Sequence, residues 1–400
     1  MENQGFLCSH RHVARQPGLL TIAMSRVVID LSSDAPPRAI QLDLSRDRPW
    51  YKLSLPGTQH WPAFSQPAQD PLRCWPDKYS ADLDTPAWSR VMDWCGVAGF
   101  HKSVKVDTGF EPYTVNYAFN YLFESIPNAY DARKKTLVYD VRNEADFERK
   151  QRNYYAALQF MHHYPKDERM QAELGLSYTT FYQQIQPTIY GMAAGIDFLE
   201  WQLRLWDYNH TEHFPERVLT TFDGFPIHVC CSSNKWVARL TKSKKYQDWV
   251  LKADLGITLT GFLVDYSLQL GVRNDARMWM EHTARRARMY PWEYALGDKA
   301  YVGCPEFLTE YKDYGNMTAS HYRWNNTLQF YRARNEHAVM EVKTGRQTLD
   351  TKWRGSFIGL ASILKIVVHM VALQDRMKGP KYDCFGPWPV CPDSIVARYY

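Results

Sequence analysis

The 400-residue chain lacks most of the features that assign a protein quickly. Its eight cysteines (Cys8, Cys74, Cys95, Cys230, Cys231, Cys304, Cys384 and Cys391) contain no Cys-x-x-Cys pair and no framework spacing. That pattern argues against a disulfide scaffold and leads us to expect free thiols in a reducing compartment. Cys8 with His10 and His12, and His210 with His213, fall short of a zinc ligand set. No glycine-rich phosphate loop, internal repeat or heptad run is present, so a nucleotide-dependent metabolic enzyme, a solenoid and a coiled coil are all disfavoured. The first sixteen residues are polar and carry His10, Arg11, His12 and Arg15 in place of an apolar core, so no secretory signal is expected. Without one, the glycosylation-like tripeptides at Asn209, Asn316 and Asn325 carry no weight. The longest apolar run, 357–373, is interrupted by Lys365 and His369 and is shorter than the roughly 20 residues a spanning helix needs. A buried helix is expected there, and no membrane partner.

Apolar residues make up 45% of the chain and aromatics 14%, ample for two or three packed domains. A net charge of +5 suits nucleic acid without requiring it. The texture divides the chain four ways. Residues 1–105 are irregular and Pro-rich, with Pro36, Pro37, Pro49, Pro56, Pro62, Pro67 and Pro71 precluding long helices. Residues 106–212 are helical, 213–376 alternate strands and helices, and 377–400 form a tail.

In the helical region, 113–126 suits a buried helix and 144–163 an amphipathic one stopped by Pro165. The run 169–185 fits a helix-turn-helix, with Gly175 as the turn and Ser177 as the N-cap of the second helix. Met170, Leu174, Leu176, Phe181 and Ile185 would form its small core. Tyr178, Thr179, Thr180 and Gln183 would be left to meet a DNA groove, the alternative being an ordinary helical hairpin. Pro187 is expected to shorten the second helix.

Three acids in the second half stand in informative settings. Val218-Leu219-Thr220-Thr221-Phe222 reads as a strand running into Asp223, and Gly224 would let the backbone pass close to a substrate. Residues 252–259 and 261–267 read as two further strands around a Thr260-Gly261 turn. A fourth strand, 294–297, ends at Asp298. Leu328, Tyr331, Val339 and Val342 recur at helical spacing, which places Glu336 on a helix over about 324–343. Two acids at strand ends facing one on a helix can hold the pair of hard divalent cations that clamps a phosphodiester during in-line displacement. Glu341, five residues beyond Glu336, points about 140° away from it.

The order and wording of these stretches resemble the catalytic domain of PIF/Harbinger-type transposases and their domesticated relatives, members of the DDE superfamily. Four stretches across roughly 215–375 carry the resemblance: Asp-Gly-x-Pro-Ile at 223–227, Leu-Gly-Ile-Thr-Leu-Thr-Gly at 255–261, Leu-Gly-Asp-Lys-Ala-Tyr-Val-Gly-Cys at 296–304, and Arg-x-x-x-Glu-His at 332–337, followed by Lys343 and Lys352-Trp353-Arg354. It implies an α/β, RNase H-like mixed sheet with flanking helices behind a helical domain. It also implies a metal-binding catalytic triad of Asp223, Asp298 and Glu336 holding Mg²⁺ or Mn²⁺. Asp275 is an auxiliary ligand candidate, although the family's His-Asp reads Asn274-Asp275 here. Ala300 stands where the family commonly has Gly.

The implied activity is a nuclear DNA endonuclease or transposase using metal-activated water, with strand transfer as a further step. The alternative is a domesticated DNA-binding or protein-interaction factor without catalysis. Double-stranded DNA and a Myb-like DNA-binding protein are the implied partners, and self-association is left open. Basic residues near the site, Lys235, Arg239, Lys242, Lys244, Lys245 and Lys252, then Arg285, Arg286, Arg288, Arg323, Arg332 and Arg334, suit a phosphate track. Lys242, Lys244 and Lys245 are its leading candidates.

Overall fold

The computed structural model describes residues 100–131, 136–166, 177–205 and 218–382. The Pro-rich stretch, the residues around Gly175 and His210, and most of the expected tail lie outside the described residues.

The helical half holds α1 (Phe100–Thr108), α2 (Pro112–Leu122) and α3 (Glu144–His163), with a short antiparallel hairpin of β1 (Ala129–Asp131) and β2 (Thr136–Val138) between the last two. The Asn143 side chain accepts from the Asp146 N–H and starts α3, and Tyr164 at φ 41° ends it one residue before Pro165. A later helix, α4 (residues 178–195), begins as the sequence predicts, with the Thr180 N–H donating to Ser177 Oγ at 3.1 Å.

Pro187 does not shorten α4, contrary to expectation. The helix runs through Tyr178–Thr180, a π turn at Phe181–Ile185 and then Gln186–Gly195. The Gln186 N–H donates to Phe181 O across the wider turn. Pro187 thereby falls at the start of the following segment, where a missing N–H costs little.

The second half builds a mixed α/β layer from β3 (Val218–His228), α5 (Lys235–Thr241), β4 (Val250–Thr258), β5 (Leu263–Leu270), α6 (Asp275–Glu281), α7 (Thr283–Arg286), β6 (Tyr294–Leu296), β7 (Phe307–Leu308), α8 (Ala319–Lys343), α9 (Gln347–Asp350) and α10 (Phe357–Lys378). The five strands lie in the order β5-β4-β3-β6-β7. β3, β4 and β5 form an antiparallel meander, while β6 and β7 run parallel to β3. The Thr260-Gly261 turn is present, with Gly261 at φ +99°. A side chain on Gly261 would also meet the Tyr382 ring at 2.8 Å.

One apolar cluster joins the helical half to the sheet, uniting Phe119, Leu158 and Ile189 with Phe225, Leu255 and Leu364. α10 lies in its middle. It is the one helix among the described residues long and apolar enough to cross a membrane, and 67% of its apolar window is buried inside the fold. The His369 that interrupts this run ties α10 to the chain leaving α4. Its Nδ1 accepts from the Phe198 N–H at 2.7 Å, and burial pushes the imidazole down to about 3.

α8 is pinned to the sheet by a buried amide. Asn335 Nδ2 donates to Thr221 O at 2.8 Å and to Leu255 O at 3.2 Å. Asn335→Ala is expected to lower stability by about 2–3 kcal/mol in urea unfolding, the cost of lost hydrogen bonds to buried carbonyls plus a small void. A loss below about 0.5 kcal/mol would show that α8 is held by apolar packing alone.

Candidate active site

Register brings two of the three predicted acids together. β3 pairs with β6 up to Thr221 opposite Leu296. β6 then ends, while β3 continues to His228 along its other neighbour, β4. Asp223 lies two residues past that last pair within β3, so the period of two puts it on the face bearing Thr221; Asp298, two residues past the end of β6, acts on it electrostatically. α8 covers this face, where Leu296 packs with Leu328 and Tyr331. Asp223 therefore sits in mid-strand, not at a strand end as predicted. The end that shapes the site belongs to β6.

The Asp223 carboxyl is pushed up to about 6, first by burial and then by Asp298, against the opposing pull of Arg332. Its Oδ1 accepts from the Gly224 N–H at 2.9 Å. Asp298 Oδ1 accepts from the Ala300 N–H at 2.7 Å and caps a short 3₁₀ turn, Lys299–Tyr301. Ala300 in place of glycine carries no backbone strain, because among the described residues only Tyr164 and Gln247 are non-glycines at positive φ. Gly297 is required for space: a side chain there would fall 2.5 Å from Phe307 and 2.6 Å from Tyr301, whose rings stack at 4.2 Å.

Glu336 is exposed on α8. It follows Arg332 by four residues, about 40° around the helix, and so shares the flank that carries Arg332 to Asp223. Glu341 lies on the other flank, ion-paired to Lys381. The structure thus separates Glu336 from Glu341 as the sequence predicts, while Glu336 stays open to solvent. Among the described residues no three His, Cys, Asp or Glu side chains form a metal-holding group.

The opposite face of the sheet holds charges the sequence reading missed. Lys252, Asp254 and Gly256 of β4 share a face with Pro226, Gly224 and Phe222 of β3 and with Gln269, Ser267 and Asp265 of β5. Arg285 of α7 reaches in to pair with both Asp254 and Asp265, its guanidinium 4.5 Å above the Phe222 ring. Tyr301 donates to Asp254 at 3.0 Å. Burial lifts the Asp254 carboxyl to about 6 despite Arg285. At Asp265 burial is outweighed by Arg285 and Arg288, which hold the carboxyl low.

Asp275 belongs to this second face. It is buried and ion-paired with Lys252, and Gly224 leaves it room, since a side chain there would lie 3.0 Å from Asp275 Oδ1. The glycine accommodates a carboxylate of the chain itself, where the sequence reading expected close approach of a substrate. A Lys-x-Asp pair inside a strand with every residue buried was the available signal for this network.

Much of the predicted basic track is spent inside the fold. Lys252 and Arg285 are buried ion-pair partners, Arg286 pairs with Glu306 at 2.6 Å, and Arg288 with Asp265 at 2.7 Å. Arg332 pairs with Glu310 at 2.7 Å, and Arg334 is buried, donating to Leu259 O. Lys242 lies over the Trp249 ring at 4.1 Å and donates to Gln247 O. Lys244 and Lys245 remain exposed, and Lys245 lies within Coulombic reach of Asp275 and Asp298.

On α4, Thr179 and Gln183 are exposed, while the Thr180 hydroxyl bonds Ser177 Oγ at 2.8 Å. Tyr178 lies in the first turn. Gln183 lines a cleft against β2 together with Leu137, Tyr139, Tyr182 and Tyr190. The Lys352-Trp353-Arg354 stretch is structural: Trp353 exchanges backbone hydrogen bonds with His228 and Cys230 and stacks on Tyr164 at 5.0 Å.

A carboxyl whose folded pKa exceeds its unfolded value stabilises the protein only while protonated. Without added metal, the Asp223 contribution is present below about pH 4 and lost as pH rises through about 6. Asp223→Asn is therefore expected to stabilise the chain by about 1–2 kcal/mol at pH 7.5 and by nothing at pH 4. Urea unfolding with a chelator present checks this, and an equal effect at both pH values would contradict it.

No family model, curated protein or solved structure matches the chain, so the site rests on its own geometry.

Proposed function

We propose that the chain is a divalent-metal-dependent DNA nuclease of transposase descent, acting in the nucleus on double-stranded DNA. The observation that supports this reading is that Asp223 in β3 and Asp298, two residues past the end of the parallel neighbour β6, act on one another electrostatically. The mixed five-stranded sheet flanked by helices is compatible with an RNase H-like fold.

Two neighbouring carboxylates suit Mg²⁺ or Mn²⁺, since Mg²⁺ is commonly held by one or two carboxylates with water and substrate phosphate completing its shell. Burial and mutual repulsion leave Asp223 short of positive charge, a need such a cation meets. Asp223 and Asp298 would hold it, with Glu336 closing over the site from α8. The chemistry a bound cation supplies is Lewis-acid neutralisation of the reacting phosphate. Exposed Lys244 and Lys245 draw the DNA backbone toward the acids. Strand transfer and a Myb-like partner belong to the same proposal.

One observation favours the second reading, a domesticated DNA-binding or interaction factor without turnover: Glu336 is exposed, and among the described residues no three acids form a metal-holding group.

Nicking of supercoiled plasmid with Mg²⁺ or Mn²⁺ separates the two. Asp223→Asn, Asp298→Asn and Glu336→Gln are each expected to abolish nicking, and Glu341→Gln to leave it unchanged. An inactive wild-type chain with either metal and with DNA-binding partners supplied gives the second reading the case. A dead Glu341→Gln beside a live Glu336→Gln reverses the assignment of the third acid. DNA binding is tested separately. Lys244→Ala with Lys245→Ala is expected to reduce the log–log salt slope of duplex binding by about 0.9 per lost phosphate contact, and an unchanged slope assigns these lysines to solvent.

A further inference from the structure

Arg332 is held in an unusual way. Its Nη1 donates to Glu310 Oε1 at 2.7 Å, while its Nε is buried and has no hydrogen-bond partner. Guanidinium–carboxylate pairs are commonly bidentate, and a buried donor left unsatisfied is costly, so a single-ended grip calls for an explanation. Glu310 is itself buried just after β7, and its other oxygen, Oε2, lies 3.4 Å from the Lys299 Nζ, next to Asp298 in sequence. One buried carboxylate thus restrains two cations that flank the two acids. The Arg332 guanidinium stands within Coulombic reach of Asp223, with one N–H direction unused.

We propose that Glu310 is a positioning residue that draws the Arg332 guanidinium away from Asp223, keeping the Asp223–Asp298 pair open to a divalent cation. Arg332 is the chain's own counter-charge for Asp223, and Glu310 is the group that holds it aside. The inference rests on the metal-binding reading of the pair. It concerns Glu310, which stands outside the predicted triad, and it gives the unused Nε of Arg332 a second place to go.

Two substitutions are expected to move cation affinity in opposite directions, which a purely structural role would not produce. Mn²⁺ binding to the full chain is measured by calorimetry, with no DNA present. Glu310→Gln frees Arg332 to compete for Asp223 and is expected to weaken Mn²⁺ binding roughly tenfold. Arg332→Gln removes the competitor and is expected to strengthen it about threefold or more. In the Arg332→Gln background, Glu310→Gln is expected to cost no more than about twofold, because its effect passes through the arginine. Arg332→Met repeats the test if the glutamine variant does not fold.

Weaker binding in both single variants overturns the proposal, as does an equal cost of Glu310→Gln in both backgrounds. Asp223→Asn with Asp298→Asn serves as the reference. A wild-type chain that binds no more Mn²⁺ than this double variant sinks the metal-site reading and the proposal with it. Metal binding that is lost in that variant, but unmoved by Glu310 or Arg332, sinks the proposal alone.

Discussion

The site depends on where β6 stops pairing with β3. Two residues further of parallel ladder would hold Asp298 in strand geometry beside Asp223. Because the ladder stops at Leu296, β3, still held by β4, carries Asp223 within electrostatic reach of the departing Asp298. Gly297 permits that departure, because only a residue without a side chain fits against the stacked Tyr301 and Phe307 rings. The pairing then sets the electrostatics. An acid in mid-strand cannot swing out to water as one on a loop can, so burial and its neighbour lift its pKa together.

The two sheet faces meet the cost of buried charge differently. On the α6–α7 face each carboxylate has a cation: Asp275 has Lys252, and Asp254 and Asp265 share Arg285, with Arg288 added at Asp265. Such a network is expensive to break and contributes little net stability, but it fixes the strands and helices around it. On the α8 face Asp223 has the Coulombic help of Arg332, whose ion pair is with Glu310, and a hydrogen bond from the Gly224 N–H. Burial lifts Asp254 and Asp223 alike to about 6, but Asp254 has an ion pair with Arg285 and a hydrogen bond from Tyr301, whereas the cation nearest in effect to Asp223 is paired with Glu310.

The strands, the turn at Gly261 and the helices bearing Glu336 and Ser177 were readable from the sequence because each has a local cause: alternation, a residue that tolerates positive φ, a helical period or a cap. What escaped prediction was set at a distance. β7 is two residues long and exists only because β6 offers an edge. The π turn that accommodates Pro187 depends on a hydrogen-bond shift of one residue, which composition does not encode. Glu310 gave no pattern at all, since its meaning comes from Arg332, 22 residues on in sequence. The basic residues misled for the complementary reason. A sequence shows how many cations lie near a site, and only the fold shows that Lys252, Arg285 and Arg334 already have internal partners.

α8 unites these constraints. One flank is tied down by Arg334 to Leu259 O, by His337 to the Tyr382 hydroxyl at 2.9 Å and by Glu341 to Lys381. Beneath it, Asn335 grips two strand carbonyls. The other flank carries Arg332, whose charge reaches Asp223, and Glu336, which is exposed. Anchoring one side and the underside of a helix fixes the rotation of the whole, so even an exposed residue such as Glu336 has a set direction. Glu336 can therefore stand in solvent and still have its direction set, by Asn335 one residue earlier.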